Sequence, residues 1–418
     1  MKKNNIYLIA GLRTPFVKID RKFKDLGAIE LSIPVVREMM KRQSAQPDFL
    51  VWGSVAPNLG YSNLAREIIM DAGLDQQIPS FTAIMACSTS MLAAIQAAEM
   101  ADEDTLALVG GVESMSRVQL GLSQDLSDWL RRLFQARTLK DKLAQLGQLS
   151  WGDVKLYVPS VTNRTTKLSM GEHSEITTKR LGISREDQDE IALASHQHYV
   201  KAKTQGFYDD LLIELNGIRD DTIPRPDTSL EKLSALRPVF DRSEKGTLTA
   251  GNSSLLTDGA AGLWVAGEQA LSRLAHAGYR ARLLDWEMAA VNIEADGLLM
   301  ATTYAIPRIL ARHQLRYEDI DLWEIHEAFA AQVLANIRLL EDRQHLQKVG
   351  VDADLGTFPR DKINPNGGSI AIGHPFGATG ARILSQAIKA LSARGKGKKA
   401  IVSICADGGL GTVVLLEG

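Results

Sequence analysis

Cysteine is nearly missing: Cys87 and Cys405 are the only two in 418 residues. A chain this long can bury enough core to do without a disulfide, and cytosolic thiols stay reduced. There is no Cys-x-x-Cys, and none of the eight histidines is spaced His-x-x-x-His, so local zinc-ligand spacing is absent and no metal or cofactor is expected. An excess of one charge is also missing. Lys and Arg number 48 against 50 Asp and Glu, for a net charge of -2, which removes any global electrostatic reason to bind nucleic acid. No uninterrupted apolar run approaches the roughly 20 residues of a membrane-spanning helix. The opening MKKNNIYLIAGLRTPF breaks at Gly11 and Arg13, too early for the apolar region of a signal peptide. A cytoplasmic location is the expectation.

What is present is ordinary globular composition, with 45% hydrophobic and 23% charged residues, 34 Gly and 13 Pro, in a length that suits two or three structural units at on the order of 150 residues each. NIYLIAGL, PDFLVWGSV and TLALVGG read as strands, and LGAIELSIPVVREMMKRQ carries helical periodicity. A strand also runs into Cys87, with a small-residue helix after it. This alternation predicts an α/β fold whose strands are covered by helices. Near the C-terminus the pattern returns: a glycine-rich loop, a helix from about Ala378 to Arg394, the strand KAIVSIC and a glycine turn. The repetition predicts an internal duplication in which Cys87 and His374, each at the head of a helix, approach one another.

Residues 118–248 differ in character. LSDWLRRLFQARTLKDKLAQL spaces Trp129, Leu130, Leu133 and Phe134 as a helix would, with Arg131, Arg132, Arg137, Lys140 and Lys142 between them. Ser184 and Asp187 form a helix-start signature. An inserted α-rich region is predicted, its basic face reading first as solvated helix surface. His196 and His198 lie two apart on a charged helix and read as surface residues.

Cys87 is placed at a helix start, where free N–H groups and the helix dipole favour a thiolate; inert core is the competing reading. His374, between Gly373 and Pro375 in IAIGHPFGATGAR, is either a general base in a rigid loop or a loop-capping histidine. His326, at a strand-to-helix junction beside Glu327, is a catalytic polar group or a satisfied core histidine. The glycines after Cys405 expose backbone N–H groups suited to an oxyanion. Together these residues suggest acyl transfer through a thiol nucleophile, a base, a second proton carrier and an oxyanion hole.

ACSTS, GGVESMS, GTLTAGNSSLLTDGAA, HEAFAAQ, NPNGGSIAIGHPFGATGAR and CADGGLG, in this order, resemble the thiolase family over nearly the whole chain. The H-E-A-F form and the long insert look most like the 3-ketoacyl-CoA thiolases that serve as β subunits of the fatty-acid oxidation trifunctional complex. The resemblance implies two pseudosymmetric halves in a five-layered α/β/α/β/α arrangement. Residues 1–117 and 249–272 would form the first half, 118–248 a loop domain covering coenzyme A, and 273–418 the second half. It implies Cys87 as the acylated nucleophile, His374 as its base, Cys405 as the acid/base at the departing carbon, and His326 in place of an asparagine that orients an oxyanion-hole water. Backbone N–H groups of Cys87 and Asp407 would make the second oxyanion hole. Met170, Arg225, Phe240, Ser254 and Phe329 are carried over as coenzyme A contacts. Coenzyme A is then a substrate, with acyl-CoA and further copies, as a homodimer or homotetramer, as partners; the basic amphipathic stretch from Trp129 to Lys142 prompts a further hypothesis of docking to a hydratase/dehydrogenase subunit or a membrane surface.

Asp407 departs from the glycine common at that position in biosynthetic members; its side chain would either narrow the pocket or place a carboxylate near the expected oxyanion, while the backbone N–H survives the change. Two rival activities share the motifs: acetoacetyl-CoA condensation, and a non-catalytic CoA or lipid module, which would be expected to lack at least one of the four reactive residues. A ketoacyl-synthase-type enzyme would lack the second cysteine.

Overall fold

The alternation in the sequence becomes β1 (Ile6–Ile9), β2 (Val17–Lys18), α1 (Ala28–Gln43), β3 (Phe49–Gly53), α2 (Leu64–Asp71), β4 (Ser80–Phe81), α3 (Thr89–Met100) and β5 (Leu106–Glu113) in a computed structural model. It describes residues 5–418 apart from positions 151, 153, 158, 160 and 277. The next stretch supplies β6 (Gly121–Leu122), α4 (Gln124–Gln135), α5 (Leu139–Leu146), β7 (Leu156–Tyr157), α6 (Met170–Leu181), α7 (Arg185–Thr204) and α8 (Leu230–Ser234), after which β8 (Thr257–Gly267) returns to the first half. The second half follows as β9 (Arg280–Ala290), α9 (Ile293–Asp296), α10 (Thr302–Arg312), β10 (Leu322–Ile325), α11 (Ala330–Leu340), α12 (Arg343–Lys348), α13 (Ser369–Ile372), α14 (Thr379–Ser392), β11 (Lys399–Ala406) and β12 (Leu410–Glu417).

The strands line up as β10-β11-β12-β9-β1-β8-β5-β3-β4, with β2 on β8. In the first half β3 pairs parallel with β5, and β5–β8 and β8–β1 are antiparallel. The second half repeats the scheme, with β10 parallel to β11, and β11–β12 and β12–β9 antiparallel. The predicted duplication is therefore visible as matched strand order and polarity. The halves meet edge to edge where β1 pairs antiparallel with β9, Leu8 facing Ala281. Every residue of β5 and β8 is buried. Strands covered on both faces need no polar alternation, which explains their continuous apolar runs.

Three apolar cores separate five layers. One lies between the first half-sheet and α1 and α2, through Leu31, Val35, Ile68 and Trp264. Another lies between the second half-sheet and α10, through Ile306, Ile309 and Val413. The largest holds α3 and α14 between the two half-sheets, through Met91, Ala94, Ala381, Leu384 and Val402. Residues from Thr379 to Leu391 are all buried. Such close packing requires small residues: a Cβ on Gly380 would stand 2.3 Å from the Met91 nitrogen, and one on Gly111 would stand 2.1 Å from the Gly377 oxygen.

Some local expectations change. His196 is buried, not on the surface, and its Nδ1 accepts the Arg225 N–H at 3.2 Å; α7 turns that face toward the Arg225 loop, which a charge count along the helix does not reveal. His198 is half-buried, joined to the Asn364 carbonyl at 2.9 Å. Trp129 packs inward with its indole N–H on Gln145 O at 2.8 Å, whereas Phe134, assigned to the same spacing, is 82% exposed. Ser184 caps α7 by accepting the Asp187 N–H.

A single added methyl tests the central packing. Gly380→Ala is expected to destabilise the protein by about 1–3 kcal/mol through forced separation of α3 and α14, read as a lower urea midpoint. An unchanged midpoint would show that the helices have room to spare.

Candidate active site

Cys87 is presented by a tight turn. Ala86 sits at φ +44°, in the left-handed region that residues with a side chain seldom occupy. Thr89 braces the turn: its Oγ1 accepts the Met85 N–H at 2.9 Å and donates to Ala86 O at 2.8 Å. Cys87 thus stands two residues before α3, half-buried. Backbone N–H groups of Cys87 and Asp407 both donate toward its sulfur, yet burial and, next, the Asp407 carboxylate push the thiol up to about 12. The expected thiolate is therefore not the resting form. Desolvation outweighs the helix start, and the sulfur has to lose its proton during reaction.

His374 lies between α13 and α14, its N–H on Leu255 O at 3.3 Å. The loop is anchored by Glu113 at the end of β5, a buried carboxylate that accepts N–H groups of Val55, Ala56 and Gly377 and the Ser54 hydroxyl. Four donors are what make such burial tolerable. The His374 Nδ1 meets Thr379 Oγ1 at 2.7 Å, and that hydroxyl donates to Pro375 O at 2.9 Å. A hydroxyl has one hydrogen to give, so it accepts from Nδ1–H, leaving the Nε2 lone pair free. Nε2 is buried without a protein partner among the described residues. Burial, then the Arg382 charge, lower the ring to about 3, so it rests neutral.

His326 follows β10, its N–H on Ser403 O. Asn364, itself at φ +42°, holds this strand end by bonding both backbone groups of Ile325 and the Glu327 carboxylate. The His326 Nδ1 meets Ser369 Oγ at 2.9 Å, and its Nε2 is likewise buried and unpartnered. Burial, His374 and Arg382 together hold it neutral. The two rings lie 4.2 Å apart between centroids. The Cys87 sulfur and one nitrogen from each ring fall within 4.8 Å of one another. Local spacing gave no sign of this three-ligand cluster, because the fold assembles it from positions far apart in sequence.

Cys405, near the end of β11, is buried and unbridged; burial and the nearby Cys87 raise its thiol. It shares an apolar cluster with Phe329, against which Met170 and Phe240 pack, the two phenyl rings meeting edge to face at 5.7 Å. Ser254 joins the rim through its N–H on Ala328 O. Arg225 is exposed and tied by its backbone to His196 on α7. Asp407 is held by Asn163 at 2.8 Å and by the Gly408 N–H at 2.7 Å. The residues that sequence reasoning missed are Thr379, Ser369, Arg382, Glu113, Asn364 and Asn163. All but Asn163 lie in the motif segments or among buried strands, where a polar side chain in an apolar run was the available signal.

Residues 6–269 match the model of the thiolase N-terminal domain and residues 278–418 that of the thiolase C-terminal domain. A 3-ketoacyl-CoA thiolase of Yersinia enterocolitica is 36% identical, covering 99% of this chain and 97% of that protein. Among solved structures, the Bacillus anthracis acetyl-CoA acetyltransferase superposes with a TM-score of 0.79 at 30% identity, covering 99% of both chains. Human mitochondrial 3-ketoacyl-CoA thiolase gives the same TM-score, 0.79, at 27% identity and 100% coverage of each.

The charge environment has measurable consequences. His196 (lowered to about 4), His374 and His326 all ionise less readily in the fold than at their ordinary value of 6.5. For a base with a depressed folded pKa, stability is full above the unfolded value and is lost as pH falls toward the folded one. Lowering the pH from 7.5 to 5.5 is thus expected to destabilise the protein, His196 alone contributing on the order of 1 kcal/mol, and His196→Asn should remove that share, measured by urea unfolding at both pH values. Asp407→Asn, by removing a charge that opposes the thiolate, is expected to speed iodoacetamide alkylation of Cys87 at pH 8 roughly threefold or more, followed by mass spectrometry.

Proposed function

This chain belongs to the thiolase family and is an acyltransferase, and from that premise we propose that it cleaves 3-ketoacyl-CoA with coenzyme A to acetyl-CoA and a shortened acyl-CoA. The observation that carries the reading is a neutral thiol at Cys87 within 4.8 Å of a ring nitrogen of His374, whose Nε2 is hydrogen-free and unpartnered among the described residues. Cys87 attacks the 3-keto carbon as its proton passes to that nitrogen. Backbone N–H groups of Cys87 and Asp407 receive the alkoxide. When the alkoxide collapses, the C2–C3 bond breaks, and Cys405 gives its proton to C2, releasing acetyl-CoA. The Cys405 thiolate then takes the proton of an incoming coenzyme A, whose sulfur attacks the acyl group on Cys87. The departing Cys87 sulfur recovers its proton from His374, and every group returns to its starting state.

Burial suits each step. Both thiols are raised, so neither reacts until substrate and base are in place, and Cys405 retains a proton to give. Met170, Phe240 and Phe329 would line the approach of the pantetheine arm, since they belong to or pack against the apolar cluster of Cys405, and Ser254 would join them through the segment bonded to Ala328. Arg225 would serve a phosphate only at the outer end, because it is exposed. The degradative direction, in fatty-acid β-oxidation, is favoured by the His326 that stands in the H-E-A-F segment. The partners would be acyl-CoA, coenzyme A and further copies of this chain, with a hydratase/dehydrogenase subunit as a further candidate.

The test is thiolysis of a 3-ketoacyl-CoA chain-length series, with mass spectrometry after a brief acyl-CoA pulse. Cys87→Ala is expected to abolish acyl-enzyme, while Cys405→Ala still acylates slowly. An adduct on Cys405 instead of Cys87 would overturn the assignment, and coenzyme A binding without turnover would identify a carrier.

A further inference from the structure

Ser369 opens α13 and is fully buried, with two side-chain partners among the described residues: His326 Nδ1 at 2.9 Å and Arg382 Nη2 at 2.6 Å. A guanidinium has donors only, so Ser369 Oγ accepts from Arg382. The one hydroxyl hydrogen then has a single acceptor within reach, His326 Nδ1. A ring nitrogen that accepts carries no hydrogen, and a neutral imidazole must carry its hydrogen on the other nitrogen. Thr379 imposes the reverse on His374, because its own hydrogen is committed to Pro375 O.

We propose that Ser369 and Arg382 are positioning residues that hold His326 in the Nε2–H tautomer, making it a hydrogen-bond donor to the reacting thioester and not a second base. The two neighbouring histidines therefore rest in opposite tautomers, one offering a lone pair to the nucleophile and the other a hydrogen to the substrate oxygen. This rests on the thiolase reading above and adds a sequence to it. Once Cys87 has passed its proton to His374, both Nε2 atoms bear hydrogens. From that moment they form a paired donor, available where charge gathers on the thioester oxygen as the C2–C3 bond breaks. The Arg382 charge contributes a second effect: a buried cation beside Ser369 opposes protonation of either ring, so His326 remains a neutral donor throughout. Glu324 on β10 interacts with Arg382 and is held by Gln386 at 3.3 Å, but burial pushes its carboxyl up to about 8.

The test is the ring-nitrogen NMR spectrum of full-length protein labelled with 15N-histidine, with His326→Asn and His374→Asn used to identify the signals. In the wild type, His326 is expected to show a protonated Nε2 and bare Nδ1, and His374 the opposite. Ser369→Ala should mix the His326 tautomers and lower kcat on the order of 10- to 100-fold, with KM for coenzyme A within about twofold. Ser369→Thr, which keeps the hydroxyl, should restore both signals. Hydrogen on His326 Nδ1 in the wild type overturns the proposal. So does Ser369→Ala with wild-type spectrum and kcat. Should the variants fail to fold, the wild-type spectrum decides alone. Opposite tautomers in a protein that does not turn over 3-ketoacyl-CoA would retain the positioning role and remove the functional reading.

Discussion

The closeness of α3 and α14 governs the rest of the molecule. Two helices that allow no side chain at Gly380 bring their N-terminal ends together at the boundary between the halves. Cys87 precedes one and His374 the other. The reactive pair is a product of helix packing, and its precision comes from a core that side chains cannot shift without cost. Contacts near the helix starts reinforce the alignment: Ser88 bonds Thr412 on β12, Ser90 accepts the Ala381 N–H, and Glu113 accepts the Gly377 N–H.

Packing that tight also dries the site, and dryness sets its chemistry. Desolvation is the largest influence on Cys87, Cys405, His326 and His374 alike, and in each case it favours the uncharged form. Proton positions are then determined by hydrogen bonds and not by pH, which is why single hydroxyls at Thr379 and Ser369 carry so much weight. A neutral site costs little to keep dry, and charge appears in it only when substrate supplies the reason.

Much of this was legible in the sequence. Continuous apolar strands, small-residue helices and recurring glycine turns predicted the α/β alternation and its duplication. Cys87, His374 and Cys405 stood out through their settings, and the family motifs tied His326 to them. The protonation state of Cys87 was misjudged, since a helix start can be read from residue order whereas the depth of burial around a sulfur cannot. His196 was misplaced for a related reason: which face of a charged helix is covered depends on the Arg225 loop, more than twenty residues on. The hydrogen-bond partners of the histidines were hidden because they depend on three-dimensional aim, although Thr379, Ser369 and Arg382 lay within the quoted motifs throughout.

The seam between β1 and β9 has a mechanical meaning. Many enzymes that build a site between two similar halves admit their ligand by letting one swing from the other. Here the backbone ladder runs unbroken from β10 to β4, and a hinge at the seam would have to break it. What lies outside the sheet is tied to it here: Asn163, in the segment between β7 and α6, donates its amide N–H to the Asp407 carboxylate, so a shift of that segment would be felt at the turn after Cys405.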